Sequence, residues 1–171
     1  FVNTTVYSQW LKNFAYVDLL SISLNFVIRV LAGMLLLQVG ISPWLIFGVF
    51  LVAFFLGLMK RKSEIIMLKE KAVLHREALS KYSIKKLNYS LLIVSVLVIV
   101  TYSLYSITND PTNDNRLIFT IPIVAIIIFR QYYLSEKSVS VKKFNEVIND
   151  KITLLAIIMY IITTILLLYS F

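Results

Sequence analysis

Cysteine is absent from the 171 residues and histidine occurs once. A disulfide scaffold, a thiolate zinc site and a cysteine nucleophile are thereby excluded, and a histidine-based metal cluster has too few residues to form. Charge is scarce as well: 15% of residues are charged, against about a quarter in a soluble domain. No Walker-type GxxxxGKS run, HExxH or GxSxG occurs. What is plentiful is apolar side chain, 59% of residues, with a mean hydropathy of +0.84. That excess is too large for one water-soluble core and excludes an ordinary cytosolic enzyme domain. A membrane protein is the class that remains. The first residue is Phe1 rather than Met, which points to a chain that begins partway through a longer one.

Stretches near the ~20 residues that cross ~30 Å of hydrocarbon occur at 18–38, 43–59, 88–107, 117–134 and 152–171. They predict an all-α fold, a polytopic transmembrane helix bundle, with residues 1–171 as a single transmembrane domain. The second stretch is short, but Leu58 and Met59 run directly into a charged helical pattern, so one long helix is expected to continue past the lipid. From Lys60 to Lys86 nine basic and three acidic residues alternate with Ile65, Ile66, Leu68, Val73 and other apolar residues at helical spacing. That pattern predicts an amphipathic segment at the membrane surface over 60–86. Lys plus Arg number 17 against 9 Asp plus Glu, a net charge of +8. Fifteen of those basic residues fall on one side of the five-span arrangement, which is then the cytoplasmic side of a multi-pass protein of the cell membrane. The surplus therefore speaks of orientation and anionic ligands, with no nucleic-acid partner.

The first span carries Asp18, Ser21, Asn25 and Arg29 at i, i+3, i+7 and i+11. At about 100° per residue they fall within an arc of roughly 80°, a polar stripe with only Ser23 lying well off it. An arginine at bilayer depth costs at least ~2.5 kcal/mol, so the stripe is expected to face the bundle interior or a wet cavity. Asp18 and Arg29 are separated by roughly 16 Å along the helix, too far to pair. Arg29 is therefore expected to meet backbone carbonyls, a residue from a missing part of the protein, or an anionic ligand. One turn further on, Ala32 and Gly33 are expected to admit a neighbouring helix. At the end of the second span Lys60, Arg61 and Glu64 form a charged cap with Lys60 and Glu64 at i, i+4, placed to meet phosphates arriving from the cytosol. Trp10 and Trp44 read as interfacial anchors.

Several of these residues stand in an order that resembles a known family. Tyr7-Ser8-Gln9-Trp10-Leu11-Lys12, then Asp18, Asn25-Phe26-Val27-Ile28-Arg29-Val30-Leu31-Ala32-Gly33, Ser42-Pro43-Trp44 and Lys60-Arg61-Lys62-Ser63-Glu64 are similar to the C-terminal half of decaprenyl-phosphate phosphoribosyltransferases. Those enzymes are a branch of the UbiA prenyltransferase superfamily. The resemblance covers about residues 1–105, and beyond it only the hydropathy pattern agrees. It implies a bundle of about nine helices opening to the cytosol, of which the N-terminal half is missing here, in which phosphoribosyl passes from magnesium-bound phosphoribosyl diphosphate to a polyprenyl phosphate. It also implies that Tyr7, Lys12 and Asp18 belong to the polar mouth of the site, Arg29 to the pocket wall, and Lys60, Arg61 and Glu64 to the segment facing the donor phosphates. Lys12 and Asp18 are then the catalytic candidates, Tyr7, Asn25, Arg29, Lys60, Arg61 and Glu64 the substrate-binding ones, and Asp18 a magnesium ligand. The expected partners are the lipid bilayer, both substrates, the missing N-terminal half and a second copy of the chain. The family's aspartate-rich magnesium motif, NDxxDxxxD, is absent.

The chemistry stands on its own terms. Displacing diphosphate from a sugar carbon develops negative charge on the leaving group, which a divalent ion and Lys or Arg donors in a partly dry site stabilise. Two other readings stay open: prenyl transfer from a prenyl diphosphate to an aromatic or glycerol-type acceptor, and a non-catalytic membrane subunit or transporter.

Overall fold

Each apolar stretch is a helix in the computed structural model, which describes residues 17–38, 40–68, 84–108, 116–137 and 150–169. In order these are α1 (Val17–Leu36), α2 (Pro43–Leu68), α3 (Ile84–Thr108), a short 3-10 turn (Arg116–Thr120), α4 (Ile121–Lys137) and α5 (Lys151–Tyr169). No strand occurs among the described residues, and the five helices are each long and apolar enough to cross a membrane. The chain is an all-α membrane protein. Residues 60–68 belong to α2 and 84–86 to α3, so the expected surface segment 60–86 is taken up at both ends by spanning helices. Residues 69–83, the rest of that segment, lie outside the described residues.

Local chemistry sets the boundaries. Ser42 caps α2, its Oγ accepting from the Leu45 N–H at 3.5 Å, and Pro43 follows as the first helical residue, where a missing N–H costs nothing. Past the end of α1, Gln38 takes a left-handed conformation (φ 53°) and donates its N–H to the Leu35 carbonyl, a turn that releases the chain from the helix at a residue less suited to it than glycine. Asp150 caps α5 by accepting from the Thr153 N–H at 3.2 Å, and Arg130 of α4 donates to both of its carboxylate oxygens at 3.1 Å. Several serines inside the spans satisfy themselves. Ser23, Ser95 and Ser103 each donate to the carbonyl four residues back, at 2.7 to 2.8 Å, which spares these three hydroxyls from standing bare in the hydrocarbon layer.

Helices adjacent in sequence pack against each other: α1 on α2, α2 on α3, α3 on α4, α4 on α5. The core lies mainly between α2 and α3, where Leu51, Phe55, Leu58 and Met59 meet Leu87, Leu91, Val94 and Val98. Two glycines set close approaches, since lipid is as apolar as the core and packing rests on fit rather than on water exclusion. A Cβ on Gly57 would lie 2.9 Å from Leu19 Cδ2, and one on Gly48 would lie 3.7 Å from Thr101 Cγ2. The expectation for Ala32 and Gly33 does not hold among the described residues: nothing would lie within 4 Å of a Cβ on Gly33. Among the described residues of α5 only Thr153 is buried, and Leu155, Ile158, Met159 and Leu166 are exposed on the outside, where lipid lies.

Candidate functional site

Asp18 opens α1, and α2 carries Arg61 on the turn beyond its apolar core. Where the two helices pack, Arg61 donates from Nη2 to Asp18 Oδ2 at 2.7 Å and from Nη1 to Glu64 Oε2 at 2.6 Å. The Arg61 side chain is 5% exposed, Asp18 1% and Glu64 28%. One guanidinium thus holds two carboxylates, a geometry that suits the planar fork of arginine and not the point charge of lysine. The two links differ in kind: the first is a dry contact between helices, the second a local contact at a wetter edge. Lys60 is exposed, whereas Lys62 is buried and lies in the field of Glu136 of α4.

Beside this cluster opens a cavity of about 810 Å³ to which all five helices contribute, within the range of ~300–1,000 Å³ typical of ligand sites. Lys60 and Arg61 stand on its wall, as does Trp44 at the other end of α2. Sixteen residues at 1.5 Å each place those two positions roughly 24 Å apart. Between them the lining is apolar, including Leu19, Val52, Leu56 and Ile128. Tyr102 and Tyr160 also line it, and the Tyr102 hydroxyl lies 2.6 Å from Thr120 Oγ1 and 3.2 Å from the Tyr160 hydroxyl. The cavity is therefore a greasy trough with two cations at one end.

Of the expected site residues, the structure brings Asp18, Arg61 and Glu64 together and sets Lys60 on the adjoining cavity wall. Tyr7 and Lys12 lie outside the described residues. The polar stripe of α1 does not face the interior as one strip. The buried row of that helix is Leu19, Ser23, Val27 and Met34, with Asp18 and Ser21 buried at its start. Asn25 is half-buried, while Arg29 is exposed, does not line the cavity, and rests over the Phe26 ring at 5.9 Å. The reason is local: Ser23, set aside as lying off the stripe, hides its hydroxyl on the Leu19 carbonyl and packs like a small apolar residue. Glu64, expected on one face with Lys60, pairs with Arg61.

No group of three or more His, Cys, Asp or Glu side chains able to hold a metal ion occurs among the described residues. Asp18 is committed to Arg61, which fills the place a cation would take between Asp18 and Glu64. Asp18, expected as a magnesium ligand, is thus found as the partner of Arg61.

Sequence reasoning missed the pairing of Asp18 with Arg61 and the cavity-lining tyrosines. The tyrosines left one signal, since Tyr160 falls in the middle of its span and not at an interface.

No protein-family model matches the chain. It is similar to the decaprenyl-phosphate phosphoribosyltransferase of Mycolicibacterium smegmatis, with 25% identity over 108 residues, 63% of this chain and 34% of that protein. The chain spans about a third of the length of the curated relative it matches. The distant relative is a transferase, and the five helices of this chain are long and apolar enough to span a membrane.

Proposed function

We propose that the chain belongs to a membrane transferase of the UbiA type that moves phosphoribosyl from phosphoribosyl diphosphate to a polyprenyl phosphate. The observation that carries this reading is the apolar cavity ending on Lys60 and Arg61. A polyprenyl tail lies in the trough, and its phosphate stops at the cations. The basic end faces the cytoplasm, from which the donor arrives. An acceptor phosphate oxygen forms a bond to the sugar carbon as the bond from that carbon to diphosphate breaks, and diphosphate leaves with the electron pair. Lys60 and Arg61 hold phosphate oxygens, which are stronger acceptors when ionised. Asp18 acts on Arg61, fixing the guanidinium on the cavity wall. Lys12 and Tyr7 supply further donors at the mouth.

The test uses membranes that contain the protein carrying this chain, incubated with ribose-labelled phosphoribosyl diphosphate and a polyprenyl phosphate. The proposal expects label in the organic phase together with released diphosphate, and loss of both on Lys60→Ala. A prenyl diphosphate would fit the same trough, tail in hydrocarbon and diphosphate on the cations. Transfer of label from a prenyl diphosphate to an aromatic or glycerol-type acceptor, with none from the ribose donor, would favour that second reading.

A further inference from the structure

Arg61 lines the cavity with one N–H of each terminal nitrogen already given to a carboxylate, so its positive charge is offset before any ligand arrives. Lys60 and Arg61 together carry two positive charges, and Asp18 and Glu64 two negative ones, so an anion arriving at this end meets no net attraction from the four. Attraction appears only when one carboxylate withdraws. Asp18 is the poor candidate: it is 1% exposed and held between helices, and leaving Arg61 would strand its charge away from water. Glu64 is suited to leave. It is 28% exposed, sits one turn from Arg61 on the same helix, and needs only a rotation of its own side chain to reach solvent.

We propose that Glu64 is an internal counter-anion that holds Arg61 until a phosphate-bearing ligand displaces it. The inference rests on the reading of the basic end of the cavity as an anion site, and adds to it an element that sets the affinity of that site. When Glu64 swings out, Nη1 of Arg61 presents its N–H groups to the ligand while Asp18 keeps Nη2 in place. A phosphate monoester carries ~1.5 to 2 negative charges at neutral pH and outcompetes the single charge of a glutamate. A fatty carboxylate offers the same single charge as Glu64 and gains little by replacing it. Glu64 thereby sets a cost that any anionic head group must repay before it gains Arg61, and the phosphate charge is the one that repays it.

The test is calorimetric titration of the purified full chain in neutral detergent with decyl phosphate, decanoate and inorganic phosphate, for the native protein, Glu64→Gln and Lys60→Ala. Glu64→Gln is near-isosteric at a partly exposed position, and Glu64→Ala serves as the second variant should the first fold poorly. Glu64→Gln is expected to bind decyl phosphate about threefold or more tighter and decanoate tighter by no more than the same factor, because the cost of displacing Glu64 does not depend on the anion that displaces it. Lys60→Ala is expected to weaken both ligands. Native binding of decyl phosphate with unchanged affinity in Glu64→Gln would overturn the role of Glu64 and leave the anion site standing. Failure of every form to bind decyl phosphate would overturn both. Inorganic phosphate binding as tightly as decyl phosphate would show that the site serves a soluble anion rather than a lipid one, with the Glu64 effect still required for the inference to hold.

Discussion

Asp18 and Arg61 are 43 residues apart in sequence and 2.7 Å apart in space, and both are almost fully buried. This contact ties the start of α1 to the end of α2 at the one place where the apolar cavity meets charge. Because Glu64 shares the same guanidinium, the contact also decides which carboxylate is permanent and which is free to leave.

Removing Arg61 takes the guanidinium from the buried Asp18, a change that costs up to about 3–5 kcal/mol, whereas removing Asp18 leaves Arg61 its bond to Glu64. Asp18→Ala and Arg61→Ala are each expected to lower the unfolding midpoint in detergent, Arg61→Ala the more. The double replacement Asp18→Leu with Arg61→Met is expected to cost much less than the sum, since no charge remains buried. Arg61→Lys is expected to behave nearly as badly as Arg61→Ala, because a single ammonium does not span both carboxylates in this geometry. Additive losses in the double variant would contradict the pairing.

At the contact between α1 and α2, Gly57 faces Leu19. Gly57→Ala is expected to change stability by less than about 1 kcal/mol, because the tip of Leu19 turns aside and alanine favours the helix over glycine by a similar amount. Gly57→Leu has no such relief and is expected to cost about 1–3 kcal/mol through overpacking. It should also shrink the cavity that Gly57 and Leu19 line. Equal stability of the glycine and leucine forms would show that the helices do not approach here.

The five spans were legible because their signal is continuous: runs of apolar residues need no partner to be recognised. Asp18, Lys60, Arg61 and Glu64 were legible as rare charges at span ends. Their pairing was not, since it depends on which turns of α1 and α2 meet, and Gly57 against Leu19 sets that without any charge pattern. The polar stripe misled because angular arithmetic gives a common face but not the direction that face points. Ser23 and Arg29 exchanged their expected places, the serine packing inward on its own carbonyl bond and the arginine lying outward over Phe26. The cavity was beyond sequence reasoning altogether, being a gap among side chains of five helices.

Hydrogen bonds from Arg130, with help from the Thr153 N–H, hold the Asp150 carboxyl below the usual carboxylate range. A lowered value in the folded protein means that this group adds its full stability above the ordinary carboxylate pKa of about 4 and loses it as pH falls through the lowered value. Unfolding midpoints measured from pH 7 down to acid are expected to fall more steeply for the native chain than for Asp150→Asn, which keeps a capping oxygen for α5 but has no charge to lose. Asp150→Ala removes the cap as well and is expected to cost about 1 kcal/mol at neutral pH. Parallel acid profiles for the native chain and Asp150→Asn would remove Asp150 from the acid response.

The central claim is that a lipid phosphate occupies the trough with its head at Lys60. Photo-crosslinking with a polyprenyl phosphate that carries a diazirine on its tail tests this most directly. The account predicts adducts on cavity residues such as Val52, Leu56 and Ile128, with a marked loss of them in Lys60→Glu. Adducts concentrated on the outward face of α5, at Leu155 and Met159, and indifferent to Lys60→Glu, would contradict it.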